Sequence, residues 1–348
     1  MILLSRHSAG IGVFCLLLVL QACVKDTPVP ATHAPVNLST VHKVLIGNEG
    51  NFGSGNASVS LYDPASGTVV DDIYKTQNGT AMGDVLQSMA VYNKRYFFVM
   101  NNSSRILVTD AAYKQLGVIS GLPSPRYFLP VSNQKAYVSD FKANAIHVVD
   151  LNTFQKTGSI PMSGWSEQLL MFYNKVYVCN LRRNYAYIIN ALNDTKSDSI
   201  HTGPNANGLV RDRYDKIWIL CAGDSSLGAK AKLIRYNPYQ SEIEASFPLP
   251  ESYGASHLCL NAGGDTLYFL QKHLYRVPVT TTAVPAHPFV SAGSRNFYAM
   301  AVSGSDGLVY VADALDYVQK SVIYVYSPSG ELKSTFKAGI NSGSFYFE

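Results

Sequence analysis

One pattern constrains this chain more than any other: a short run of β-branched and aromatic residues that returns along its length. The run begins at Lys43 (KVLIGNEG), Lys94 (KRYFFVMN), Lys135 (KAYVSDF), Lys175 (KVYVCNL), Lys216 (KIWILCAG), Thr266 (TLYFLQK) and Leu308 (LVYVADA). Each copy is followed by a second run: ASVSLYDP, RILVTDA, AIHVVDL, YAYIINA, AKLIRYNP, HLYRVPV and VIYVYSP. Several of these close on Asp, Asn or Pro, which are turn residues. A third run precedes the later copies: QSMAVYN, RYFLPVS, EQLLMFYN, NGLVRDR, SHLCLNA and FYAMAVS. The first copy lacks that partner, and a matching run, SGSFYFE, stands at residues 342–348.

A period of about forty to fifty residues, each holding four short strands, is the signature of a propeller blade. The displaced run has a physical use. If it becomes the innermost strand of the first blade, the ring closes through hydrogen bonds and an open sheet edge disappears. The sequence therefore predicts an all-β, seven-bladed β-propeller over residues 42–348, closed by the C-terminal strand joining the first blade. A row of separate sandwich domains would leave that strand unexplained. Composition agrees: 47% of residues are hydrophobic and 23 are Tyr, a bias that favours strands. The formal charge of +4 is small and scattered, which argues against a nucleic-acid partner.

The N-terminus reads as a separate region. Arg6 and His7 precede an apolar run at residues 11–20, too short to span a bilayer and the right length for a signal-peptide core. The run ends Leu20-Gln21-Ala22-Cys23, which resembles the bacterial lipobox. That resemblance implies a signal peptide over residues 1–22, lipidation of Cys23, and a tether over residues 23–41, where VKDTPVPATHAPVNLST is Pro-rich and aperiodic. Cys179, Cys221 and Cys259 each sit in an apolar β run without CxxC spacing, so they are expected to be buried small hydrophobes rather than disulfide or zinc ligands.

The repeat AYVSDFKANAIHVVDLNTFQKTGSI is similar to the YVTN-type propeller repeat. The segments NEGNFGSGNASVSLYDP, GDVLQSM, SPRYF, GWSEQ and VADALDYVQKSVIYVY resemble a family of surface-lipoprotein propellers. The resemblance covers most of residues 43–348. It implies an outer-membrane, cell-surface lipoprotein that captures a bulky ligand, foremost a corrinoid such as vitamin B12, and passes it to a TonB-dependent transporter. It further implies a chain that is monomeric outside that complex and is not an enzyme.

Geometry places the candidate site. In a propeller, the loops leading into the innermost strands and the loops between the second and third strands emerge on one face, around a funnel. Among the former, Asp84, Gln87, Arg126, Tyr127, Trp165, Gln168, Asn207, Tyr253, His257, Arg295, Asn296 and Phe297 are expected to bind ligand. Among the latter, Phe52, Asn102, Asp140, Arg182, Asp313 and Tyr317 are expected to do so. Amides offer donors and acceptors, aromatics offer flat apolar contact, and Arg pairs with phosphate.

Catalytic motifs are missing from the sequence. GDSSLGAK has P-loop-like glycines but lacks the adjacent Lys-Ser/Thr pair and a following helix, so it is expected to be a loop between strands. No cofactor or metal site is expected. The alternative to capture is a lactonase-like enzyme with a metal at the axis, to which Asp84 or Glu167 would contribute. A protein-interaction scaffold is the third reading.

Overall fold

A computed structural model describes residues 43–348. The expectations for the signal peptide, Cys23 and the tether lie outside the described residues. The described chain forms seven antiparallel sheets, six of four strands and one of three. Their inner strands touch one another in an unbroken circle, with Ser342–Phe347 in contact with both Phe297–Val302 and Leu86–Tyr92. The architecture is the predicted seven-bladed propeller.

Closure follows the predicted route. Ser342–Phe347 pairs with Val44–Asn48, running from Val44 opposite Phe347 to Asn48 opposite Ser342. Asn48 is fully buried at this seam. Its Oδ1 accepts from Ser342 Oγ at 2.7 Å and from the Gly339 amide at 3.0 Å, while its Nδ2 donates to Ser60 Oγ at 3.0 Å. A neighbouring blade adds a further tie: the phenols of Tyr96 and Tyr113 donate to Glu348 Oε1 at 2.6 and 2.7 Å.

Alternation of side chains along each strand puts apolar rows on both faces of every blade. Each face packs against the next blade, and the core divides into seven clusters, one between each neighbouring pair. Phe97 stacks on Phe128 at 4.2 Å in the cluster between the second and third blades. Cys179 and Cys221 are buried in the next such seam but one, Cys259 is half-buried, and all three are free. The outermost strands carry little of this core: Thr195–His201 is exposed at all but one position. Low apolar content is why their sequences gave so weak a signal.

The sixth blade is the exception to the count. It has Ser256–Leu260, Thr266–Gln271 and His273–Pro278, and a single bridge between Leu274 and Val290 stands where a fourth strand would pair. A short helix, Ile73–Asn78, follows the first blade's outer strand; Asp72 caps it by accepting from the Lys75 amide, and Gly79 ends it at φ 71°.

Candidate functional site

The innermost strands share a device. Each one begins with a β-bulge against its neighbour. The residues skipped in the pairing are Gln87, Arg126 with Tyr127, Glu167 with Gln168, Asn207, His257 with Leu258, Tyr298, and Gly343. Every one of them lines a single open cavity of about 500 Å³. A bulge leaves a residue out of the ladder and turns its side chain away from the regular alternation. Repeated around a ring, it aims seven short segments at one axis. Glu49, Leu181, Ser256, Asn296, Phe297 and Tyr317 complete the wall.

The polar groups of this funnel are tied from blade to blade. Arg126 Nε donates to Glu167 Oε1 at 2.7 Å, and Arg126 Nη1 donates to Gln87 Oε1. Gln168 Oε1 accepts from the Leu209 amide at 2.7 Å, and Asn207 Nδ2 donates to the Ala255 carbonyl at 2.8 Å. Opposite, the Tyr298 phenol donates to Glu49 Oε2 at 2.8 Å. Gly343, the one bulged residue without a side chain, leaves the space that Glu49 occupies.

Two carboxyls therefore share the site. Burial raises the pKa of Glu167, opposed by the charge and hydrogen bond of Arg126 and by Trp165. Burial also raises that of half-buried Glu49, opposed by the Tyr298 hydrogen bond and Arg126, and reinforced by the negative charge of Glu167. His257 moves the other way: desolvation lowers it to about 4, so the imidazole is neutral at pH 7. Its backbone holds φ 54°, outside the usual range for a non-glycine residue, and its Nδ1 lies 3.0 Å from Ser256 Oγ.

Of the residues expected from sequence, the structure brings together Gln87, Arg126, Tyr127, Gln168, Asn207, His257, Asn296, Phe297 and Tyr317. It places the others elsewhere. Asp140 is fully buried, accepting from the amides of Ser124, Lys142 and Ala143 and bonded to His147 Nε2. Asp313 is buried and accepts from the amides of Asn296 and Leu315. Asp84 and Asn102 bond to each other, and Asp84 also accepts from the Gly53 amide. Arg295 spends its donors on the carbonyls of Ala292 and Ser291 and on the Tyr326 phenol. Phe52 and Tyr253 are exposed and do not line the cavity. Trp165 lies against Phe141 beside the funnel, with Arg126 and Arg182 over its ring.

Glu49 and Tyr298 were not among the residues expected from sequence to bind ligand, and Glu167 entered only through the lactonase-like alternative. The available signal was register: each inner run carries one residue too many for strict alternation, which a single unaligned strand does not reveal. Among the described residues no group of three or more His, Cys, Asp and Glu side chains is arranged to hold a metal.

The sequence matches one family profile over residues 43–346, that of the "Domain of unknown function (DUF5074)". The chain belongs to the DUF5074 family. No curated protein matches it. Among solved structures, this DUF5074 chain resembles a quinonprotein alcohol dehydrogenase-like protein from Bacteroides thetaiotaomicron, with 13% identity, TM-score 0.68, and coverage of 88% of this chain and 78% of that one. It resembles the periplasmic gluconolactonase of Pseudomonas aeruginosa, with 14% identity, TM-score 0.67, and coverage of 88% and 99%. It also resembles a putative 6-phosphogluconolactonase from Bacteroides fragilis, with 11% identity, TM-score 0.65, and coverage of 90% and 100%.

At these identities the likeness establishes the fold. It also corrects the expectation that the DUF5074 chain is not an enzyme. That expectation rested on the surface-lipoprotein resemblance and on missing catalytic motifs, yet the shared architecture is one carried by a gluconolactonase. A propeller draws its funnel residues singly from different blades, so a site on this fold leaves no local motif to find.

Proposed function

We propose that the funnel is the active site of a hydrolase opening a small, hydroxyl-rich cyclic ester, a lactone. The observation that carries this reading is the pairing of Glu49 and Glu167, both with raised pKa, around Arg126. Glu167 is locked to Arg126 and holds the guanidinium against Gln87. The remaining N–H groups of Arg126 stabilise the negative charge that develops on the ester carbonyl oxygen. Glu49 faces the funnel, and burial raises its pKa, which makes its carboxylate a stronger general base. It takes a proton from water as the water oxygen bonds to the carbonyl carbon. It returns that proton to the ring oxygen as the ester C–O bond breaks, leaving a hydroxy acid. Gln87, Gln168, Asn207 and Asn296 offer amides to the substrate's hydroxyls.

The test is a panel of hydroxylated five- and six-membered lactones, followed by acid release in a pH-stat. Glu49→Gln is expected to lower turnover by about a hundredfold or more. Failure of the unaltered protein to open any of them faster than buffer would overturn the reading.

Capture of a corrinoid is the second reading. It is favoured by Tyr317, an exposed aromatic in the funnel wall against which a ligand larger than the cavity could rest. Calorimetry with cyanocobalamin tests it, and a flat titration removes it. A lipid anchor at Cys23, an outer-membrane location and a TonB-dependent partner transporter stay proposals resting on the LQAC sequence and the resemblance. Cys23→Ala is expected to move the protein from the detergent phase to the aqueous phase.

A further inference from the structure

The funnel is not isolated on its face. Leu181 lines both the funnel and a second concavity of about 460 Å³. Arg182 lines that concavity and a third of about 450 Å³. The three adjoin and make one groove leading outward over the fourth blade. Its outer end gathers Lys142, Arg182 and Arg183.

Several cations of the chain are neutralised by a neighbouring acid, and these three are not. Lys135, Arg211, Arg213, Lys216, Arg235 and Lys320 each have a carboxylate partner. Among the described residues the charged ends of Lys142, Arg182 and Arg183 have neither an ion pair nor a hydrogen bond; only the backbone amides of Lys142 and Arg182 are engaged. The nearest acid in sequence, Asp140, is buried and already accepts several hydrogen bonds. Three like charges around one hollow repel each other, at a cost that an anion would remove.

The cluster is also positioned. The Arg182 guanidinium lies 5.6 Å from the Phe141 ring centre and 5.9 Å from that of Trp165. Stacking on aromatic faces leaves the N–H edge of an Arg free for a planar or tetrahedral oxyanion. Gly164 lets the Arg183 stem approach: at φ 98° it favours glycine, and a β-carbon there would stand 3.1 Å from Arg183 Cγ. Trp165 lines the middle concavity, and its side chain also acts on the Glu167 carboxyl of the funnel, so the groove and the funnel share a wall. Asp224 lines that same middle stretch, so an anion is favoured at the outer end, away from it.

We infer that Lys142, Arg182 and Arg183 form a subsite for a phosphate-class oxyanion, set in a groove continuous with the funnel. Its use as part of a substrate site rests on the proposed function of the funnel; the binding of the anion does not. The natural occupant is a phosphate monoester whose polar body extends toward Trp165 and Leu181, and free phosphate has the same chemistry.

Trp165 is one of two tryptophans in the sequence, and the other, Trp218, is buried between blades. Intrinsic fluorescence therefore reports on the groove. Inorganic phosphate, glucose 6-phosphate and glucose are titrated into the unaltered protein, Lys142→Gln and the double variant Arg182→Gln/Arg183→Gln, with sodium chloride at matched ionic strength as control. Both phosphate probes are expected to change the emission, and the double variant to weaken them at least about tenfold, with glucose unaffected. Tighter binding of glucose 6-phosphate than of phosphate supports the subsite with the anion carried on a substrate; equal binding supports it with a free oxyanion as occupant. A response matched by chloride, or full phosphate affinity in a folded double variant, overturns the subsite. Lactone turnover is scored separately, so loss of either result leaves the other standing.

Discussion

A β-carbon on Gly343 would collide with Oε1 of Glu49 and would stand 3.0 Å from its Cγ and Cδ. The two residues come from opposite ends of the described chain and meet because the last strand completes the first blade. Gly343 has no need of unusual backbone angles; its value lies in the missing side chain. Gly343→Ala is therefore expected to turn Glu49 away from the funnel without unfolding the domain. Lactone turnover should fall at least about tenfold, equivalent to about 1.4 kcal/mol. Kinetics beside a thermal melt check this, and unchanged turnover would separate Glu49 from the chemistry.

The pH dependence has a defined direction. Glu49 must be ionised to act as a base, so activity rises with pH through its raised pKa. Tyr298 donates to Glu49 and pulls that pKa down. Tyr298→Phe removes the pull, and the acidic limb of the kcat/KM profile should move to higher pH. Stability carries the same sign. A carboxyl raised in the native state binds more protons folded than unfolded, so its contribution is present below the ordinary value of 4.5 and is lost as pH rises through the native one. Glu49→Gln should flatten that part of the stability profile in denaturant titrations at several pH values.

Ring closure predicts a global response. Removing residues 342–348 deletes the inner strand of the first blade, exposes an edge at Val44–Asn48 and opens the seams on both sides. The expected outcome is loss of the single cooperative melt rather than local fraying. Glu348→Gln is a milder probe, since it weakens only the tie to Tyr96 and Tyr113. A cost of about 1–3 kcal/mol in urea unfolding is expected for it.

Arg295 separates structural from ligand-facing roles. Its three hydrogen bonds staple its own loop to Tyr326, and its guanidinium lies over the rings of Phe297 and Tyr324. Arg295→Ala should cost about 1–3 kcal/mol of stability. Binding and turnover measured well below the melt should change little. Arg126→Ala should do the reverse to function, because it releases both Glu167 and Gln87. Equal functional losses from the two variants would refute this division.

The blade count, the inner three strands of every blade and the closing strand were all legible from the amino-acid order, because propeller strands repeat with a fixed period and bury apolar rows on both faces. The outer strands were faint because solvent rather than core faces most of their side chains. Residues leading into the inner strands were legible as a neighbourhood, and Arg126 and Gln168 were found that way. What the sequence did not contain was the count of residues against a partner strand. A bulge exists only relative to that partner, and the skipped residue decides which side chain leaves the sheet and which stays in it. Tertiary structure alone therefore turned Glu167 and Tyr298 toward the axis, assigned Asp140 and Asp313 to loop support, and put Glu49 into the gap left by Gly343. Those outcomes depend on pairings between segments as distant as residues 48 and 342, which no local stretch of sequence specifies.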